Sequence, residues 1–573
     1  GFAGDEENRE SRSPLNNETI LSGDLGVLGS TEDNAYHVVT VAEGSHLDGF
    51  VVRDGYANKN ITNDFRGKGG GLLADGAVFT VADCRFLSNQ SFQGGSAVFL
   101  NDANGTFIDC VFSDNQTDSS GSGGAVFAED SYAQFQSCLF DKNYAHFYGG
   151  AIHSTSSSLS LDQSSFTENQ SLTSNGGGAL YAEKGSISIT SSSFSGNRSI
   201  FDGGAILAFD LSAVIEDTNF TANVNSVSNG GGAIHFSSVT GSITRSRFIE
   251  NVTYATNYGG AIKLSSSSPV ISQCNFVGNL NLNNSGGAIG CSGNASPVIF
   301  DNNFSYNQAG QGGALFVDGG ESSISENYFI ENSANVGGAL YLKSFGSDEI
   351  SENEFLRNSS TDMGGAIFLD SSSLIIDSGN FIENFSSHGG AVSVQNSDSI
   401  SFQGIKGIGN EANASASGNG GFLYQGLNSI SAKFVNCILS GNRANQYGGV
   451  VRPSDQLSFT NCTIVGNESL DAGGVVILFE GDSLNLENSI LWNNHSQWGN
   501  EIAVNSGSAS AHYSLFDPAE SQGVINGTEN ISGDPLFVDQ DGLDGILGTS
   551  DDDFQLQASS PAINIGSNGF TDY

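Results

Sequence analysis

Gly123-Gly124-Ala125-Val126-Phe127-Ala128-Glu129 is followed by Cys138-Leu139-Phe140-Asp141-Lys142-Asn143. The same order then returns as Gly149-Gly150-Ala151-Ile152-His153 and Phe166-Thr167-Glu168-Asn169. Outward from this stretch the Gly pair recurs at Gly177, Gly203, Gly231, Gly259, Gly286, Gly312, Gly337, Gly364 and Gly389, with weaker copies at Gly69, Gly94, Gly420, Gly448 and Gly473. Steps between copies are about 24 to 31 residues. The aromatic-x-x-Asn marker keeps that period, from Phe86–Asn89 to Phe381–Asn384, with Leu or Ile replacing the aromatic in Leu439–Asn442, Ile464–Asn467 and Leu491–Asn494.

A fixed period of this length marks a repeat architecture. Helical repeats need 3.6-residue apolar periodicity, and none is present. The segments are short, alternating, β-branched or aromatic, and bounded by Gly, Asn, Ser and Asp, which reads as strands and turns. About 26 residues at roughly 3.3 Å each close one coil of short strands, and coils stacked about 4.8 Å apart form a sheet on every side. The expected fold is all-β, a right-handed parallel β-helix of roughly 16–18 coils capped at both ends. Residues 1–60 are expected to form the entry cap, 61–515 the repeats and 516–573 the exit cap. Within a coil, Phe should fill the interior, Asn should take a left-handed corner and stack as an amide ladder, and the Gly pair should make another corner. Cys84, Cys110, Cys138, Cys274, Cys437 and Cys462 lie two residues before the marker, so they should share its inward face as a small apolar stack.

Composition narrows function. The 573 residues carry 62 acids and 19 bases, a formal charge of −43. Phosphate neutralisation needs Lys and Arg, so nucleic acid is a poor partner. With 39 Phe and 38% apolar residues the chain can bury a core. No apolar run approaches the roughly 20 residues of a membrane helix. The chain is read as part of a longer exported protein.

The pairing of Gly-Gly-Ala-(Ile/Leu/Val) with Phe-x-x-Asn resembles the passenger repeats of chlamydial polymorphic outer-membrane proteins, and more broadly bacterial parallel β-helix repeat proteins of the cell surface. That resemblance implies an extracellular or surface-displayed structural and adhesive rod, not an enzyme. Its partners would be an extracellular glycan, a cell-surface protein or copies of itself. The alternatives are a polysaccharide lyase or glycoside hydrolase on the same scaffold, and a filament or sheath subunit.

Three sets of residues stand out as site candidates. Phasing the strand after the Gly pair places an outward stripe at Phe127, His153, Tyr181, His235, Phe316, Tyr341, Phe368 and Tyr424, a candidate ligand surface. The next outward position pairs Glu129 with Glu183 and Asp318 with Asp370, each two coils apart, near the upper limit of inverting-glycosidase spacing. Lys343 between the two Asp reads instead as a charge ladder. The acidic loop offers Asp539, Asp541, Asp544, Asp551 and Asp553 to Ca2+, since alternating Asp and Gly suits a hard, oxygen-liganded cation. No nucleophilic triad is visible in the linear order. Sequons such as Asn115, Asn169 and Asn251 fall on the Asn marker and read as a by-product of it.

Overall fold

A computed structural model describes residue 13 and residues 16–567, apart from 61–63, 174–175, 228–229, 255–257, 283, 347–348 and 415–416. The chain divides into two compact units, Gly1–Asn284 with Ala288–Cys291, and Ser285–Gly287 with Ser292–Tyr573. Each unit is a parallel β-solenoid, and the two together make about 18 turns of about 27 residues.

In the first unit one turn begins with a short strand after the Gly pair, as in Val126–Glu129. A longer strand follows, Tyr132–Gln136, then the aromatic strand Leu139–Asp141, then the two-residue strand Tyr144–Ala145. In three turns the first two strands fuse into eleven residues, Ile152–Asp162, Leu180–Thr190 and Ile206–Glu216. Strands of successive turns pair in parallel, each with its own copy one turn on. Thus Val126 stands opposite Ile152, Ile152 opposite Leu180, and Phe140 opposite Phe166. The second unit repeats the scheme: Leu315 faces Leu340, then Ile367, and Phe304 faces Phe329. Pairing already exists within the expected entry cap, where Thr19–Ser22 lies beside Phe50–Arg53. At the other end parallel pairing reaches Ile525–Thr528, and an antiparallel pair, Phe537–Asp539 with Asp553–Leu556, follows.

The interior is stacked. In the first unit Phe86, Phe112, Phe140, Phe166, Phe194, Phe220, Phe248 and Phe276 lie nearly parallel, with centroids 4.5–5.1 Å apart. All are fully buried. The Asn marker is an amide ladder. From Asn89 to Asn279, each described Asn donates from Nδ2 to the Oδ1 of the next at 3.0–3.1 Å. In the second unit the ladder runs from Asn307 to Asn494 at 2.9–3.1 Å. Each Nδ2 also donates to a backbone carbonyl, as Asn115 does to Phe86, and each Oδ1 also accepts a backbone N–H. No polar atom of the amide is wasted, which is what burial demands.

One corner differs from expectation. The left-handed residue precedes the Asn: Ser88, Asp114, Lys142, Glu168, Ala222 and Glu250 have φ of 51–54°. The Asn faces inward instead, because its amide bonds outweigh its tolerance of a strained backbone. Consequently Asn115, Asn169 and Asn251 are fully buried, and a glycan could not occupy them in the folded chain. The cysteines follow expectation: all seven are free and buried. Burial pushes the Cys274 thiol up to about 12.

Candidate functional site

The stripe that phasing turned outward does leave the interior, but most of it is closed off from solvent. Phe127, Tyr181, His235, Phe316, Tyr341 and Phe368 are at most 9% exposed, and His153 and Tyr424 are half-buried. Described residues from loops before several Gly pairs lie over this column. Tyr148 lies 4.5 Å from the Tyr181 ring, Phe65 5.5 Å from Phe99, and His388 5.1 Å from Tyr424. The stripe is therefore a second, thinner apolar layer and not an open platform. Burial also holds His153 neutral, with a pKa down at about 3.

The carboxylates of these pairs are engaged by hydrogen bonds and ion pairs. Glu129 accepts from Lys68 Nζ at 2.9 Å, and Glu183 accepts from the Tyr181 hydroxyl at 3.0 Å. Asp318, Lys343 and Asp370 stand opposite one another on successive turns, and Lys343 Nζ reaches Asp318 at 3.4 Å. This is the alternating-charge column that cross-strand pairing favours.

In the acidic loop the carboxylates cap the turn. Asp551 Oδ2 accepts from the N–H groups of Leu543 and Asp544, and its Oδ1 accepts from the Thr549 hydroxyl at 2.7 Å. Those bonds, the hydroxyl's first, lower the Asp551 pKa. Asp544 accepts from Ile546 N–H and Asp553 from Gln555 N–H. Asp539 and Asp544 are exposed. Among the described residues no three His, Cys, Asp or Glu side chains are grouped to hold a metal ion. The loop has another structural tie: a methyl added at Gly441 would meet Gly548, and one at Gly466 would meet Leu547. Two glycines one turn apart thus make room for the returning chain, and Asn488 exchanges hydrogen bonds with Ser567 beyond it.

A groove without carboxylates lies elsewhere in the second unit, on the longer strand of each turn. Ser431, Gln456, Ser483 and Ser508 form one column across paired strands, and Lys433, Ser458, Asn485, Ser510 and Asn526 the next. Ala432, Leu457, Leu484 and Ala509 alternate inward and form the floor. The trough encloses about 560 Å³, and its lining holds one cation, Lys433, and no carboxylate. Ser510 Oγ donates to Asn485 Oδ1 at 3.0 Å. A contrasting trough of about 470 Å³ is lined by Asp301, Glu326, Glu352, Glu354 and Tyr328. Burial raises the Glu354 pKa there. Nothing in the linear order points to the first trough. Ser and Asn are among the chain's commonest turn and surface residues, so nothing marks these copies until the strands are stacked.

Among described residues no helix is long and apolar enough to cross a membrane, which says nothing of a β-barrel. Among curated proteins none matches the chain. Residues 109–129, 163–183 and 297–318 match the family model of the Chlamydia polymorphic membrane protein repeat. Each matched segment spans one aromatic-x-x-Asn corner and the following Gly-pair strand: Phe112 to Glu129, Phe166 to Glu183, Phe304 to Asp318. The chain carries repeats of the Chlamydia polymorphic membrane protein kind, wound as a parallel β-solenoid.

Proposed function

We propose that the chain is a surface-displayed repeat scaffold that holds an extended neutral glycan along the trough of Lys433, Gln456, Ser458, Asn485 and Ser510. The repeat kind and the solenoid support surface display. The observation that carries the ligand is the trough itself: five successive turns of hydroxyl and amide side chains without a carboxylate, in a chain of charge −43. Hydroxyls and amides can both donate and accept, which matches sugar hydroxyls. The overall charge disfavours a polyanionic glycan by like-charge repulsion. Pairs such as Glu129 and Lys68 are tied up in ion pairs, which supports binding over cleavage.

The test offers immobilised neutral and acidic polysaccharides to the protein and reads retention together with newly formed reducing or unsaturated ends. Neutral glycan is retained, acidic glycan is not, and no ends appear. Gln456→Ala with Asn485→Ala weakens retention about tenfold, the loss of one to two hydrogen bonds. Retention unchanged by that double substitution would sink the trough, and released ends would make the chain an enzyme. Calcium at Asp539, Asp541, Asp544, Asp551 and Asp553 is a separate proposal resting on composition. Ca2+ would have to draw these carboxylates off their N–H partners, so calorimetry with the metal alone decides it.

A further inference from the structure

Asp202, His235 and Ser265 are 33 and 30 residues apart and sit on three successive turns of the first unit. Asp202 belongs to the loop before Gly203. His235 is the outer residue of the strand Ile234–Ser237, and Ser265 closes the strand Ile262–Ser265. His235 stands opposite Lys263, so Ser265 lies diagonally two residues on and points to the same side. The geometry is closed at both ring nitrogens. His235 Nδ1 is 3.1 Å from Asp202 Oδ1, and Nε2 is 3.1 Å from Ser265 Oγ. With a carboxylate beside it, Nδ1 carries the proton, which leaves Nε2 to accept from the hydroxyl. The imidazole is 7% exposed and Asp202 19%, so water competes little for either bond. Ser265 is half-buried, so it is not sealed off from solvent.

We infer that Ser265 is an acyl-accepting nucleophile, with His235 as its general base and Asp202 as the carboxylate that orients the ring. The arrangement has the roles of a nucleophile, base and orienter, which are recognised by geometry and not by chain order. Burial, working against the Asp202 contact, lowers the His235 pKa, so the ring is neutral and free to accept a proton. The substrate class is a short-chain carboxylic ester, because His235 is nearly buried and leaves room only for a small acyl group beside Ser265. Phe209 offers an apolar flank, its ring 6.2 Å from that of His235. In the reaction Ser265 Oγ bonds to the ester carbonyl carbon as its proton passes to Nε2. The carbonyl oxygen becomes an oxyanion on the side of Lys263. The bond to the alkoxy oxygen then breaks, and Nε2 returns the proton to the leaving alcohol. Water cleaves the acyl-serine by the same route, releasing the carboxylic acid. This inference is independent of glycan binding in the other unit.

The test incubates the whole chain with an alkyl fluorophosphonate, in which an Oγ–P bond forms as P–F breaks and fluoride leaves. Intact mass should rise by one phosphonyl group, mapped to the peptide containing Ser265. Ser265→Ala abolishes the gain, and His235→Gln slows it by roughly 100-fold, the usual share of a general base. Asp202→Asn, at a more exposed position, serves where His235→Gln does not fold, and slows labelling at least tenfold. p-Nitrophenyl acetate should be hydrolysed with the same ranking. No label, a label that persists in Ser265→Ala, or equal labelling of the urea-unfolded chain overturns the inference.

Discussion

The inner corner and the outer column of the solenoid obey different rules, although both repeat once per turn. At the inner corner each side chain is packed against a copy of itself. Phe166 stacks on Phe140 and Phe194, and Asn223 takes a hydrogen bond from Asn197 and gives one to Asn251. A residue whose neighbours above and below are its own copies cannot change alone. In the outer column unlike residues meet, as Phe127 stacks on His153 at 4.4 Å, and a loop from the same region covers them, such as Tyr148 over His153 and Tyr181. There the residue types drift through Phe, His, Tyr, Leu, Lys, Ser and Arg, because each position must suit its own loop cover as well as the next turn. Uniformity marks self-contact and drift marks private contact, and any singular chemistry should be sought in the second class.

The most damaging way to probe this contrast is the second glycine of a pair. A methyl at Gly204 would overlap the Gly232 carbonyl oxygen, which is backbone and cannot step aside. Gly204→Ala is expected to cost more than about 4 kcal/mol, the range reserved for core disruption, and to leave little folded protein by circular dichroism. Wild-type yield and melting for this variant would break the self-contact rule.

Next in size is the ladder set against the column. Asn223→Ala removes partners from the Asn197 N–H, the Asn197 amide, the Phe194 carbonyl and the Asn251 oxygen, all buried. Each orphaned group costs about 1–3 kcal/mol, so a total of about 3–5 kcal/mol is expected after partial hydration. Tyr341→Phe, in the outer column, loses only its hydroxyl and should cost about 1 kcal/mol. Urea denaturation of both variants measures the gap, and equal costs would remove the distinction.

The subtlest prediction concerns the place where the ladder runs out of copies. Asn494 has no next Asn, and Glu501, standing where other turns have Ala, accepts its amide proton at 2.7 Å. Glu501 is buried, and desolvation raises its pKa from 4.5 to about 8. The unfolded chain ionises near 4.5 while the folded chain keeps this proton, so the unfolded state binds fewer protons between those values. Stability from this group is full below about pH 4.5 and is lost as pH rises toward 8. Glu501→Gln should match wild type near pH 5 and exceed it by a few kcal/mol near pH 8, read from urea midpoints. A constant difference across that range would show Glu501 ionised in the fold.

Much of this was legible because a repeat prints its own contacts. Phe and Cys could be placed inside, and Asn and the Gly pair at stacked corners, from spacing alone, since period and strand alternation fix which faces meet. The Asn corner was misread by one residue, because sequence shows which residue tolerates a left-handed backbone but not that Ser88 or Glu168 bears it instead. The outward stripe was phased correctly, yet its exposure could not be read, as cover comes from loops of irregular length.

By itself the sequence determined the solenoid, its period and its buried ladders, because each is a contact between copies at one fixed separation. Only the tertiary structure decided the rest. It closed the loops over the aromatic column, gathered Ser and Asn side chains of five turns into one trough, and tied the acidic loop to Gly441 and Gly466. It also set Asp202, His235 and Ser265 within hydrogen-bond reach across three turns. These are contacts between unlike residues at unequal separations, and no period announces them.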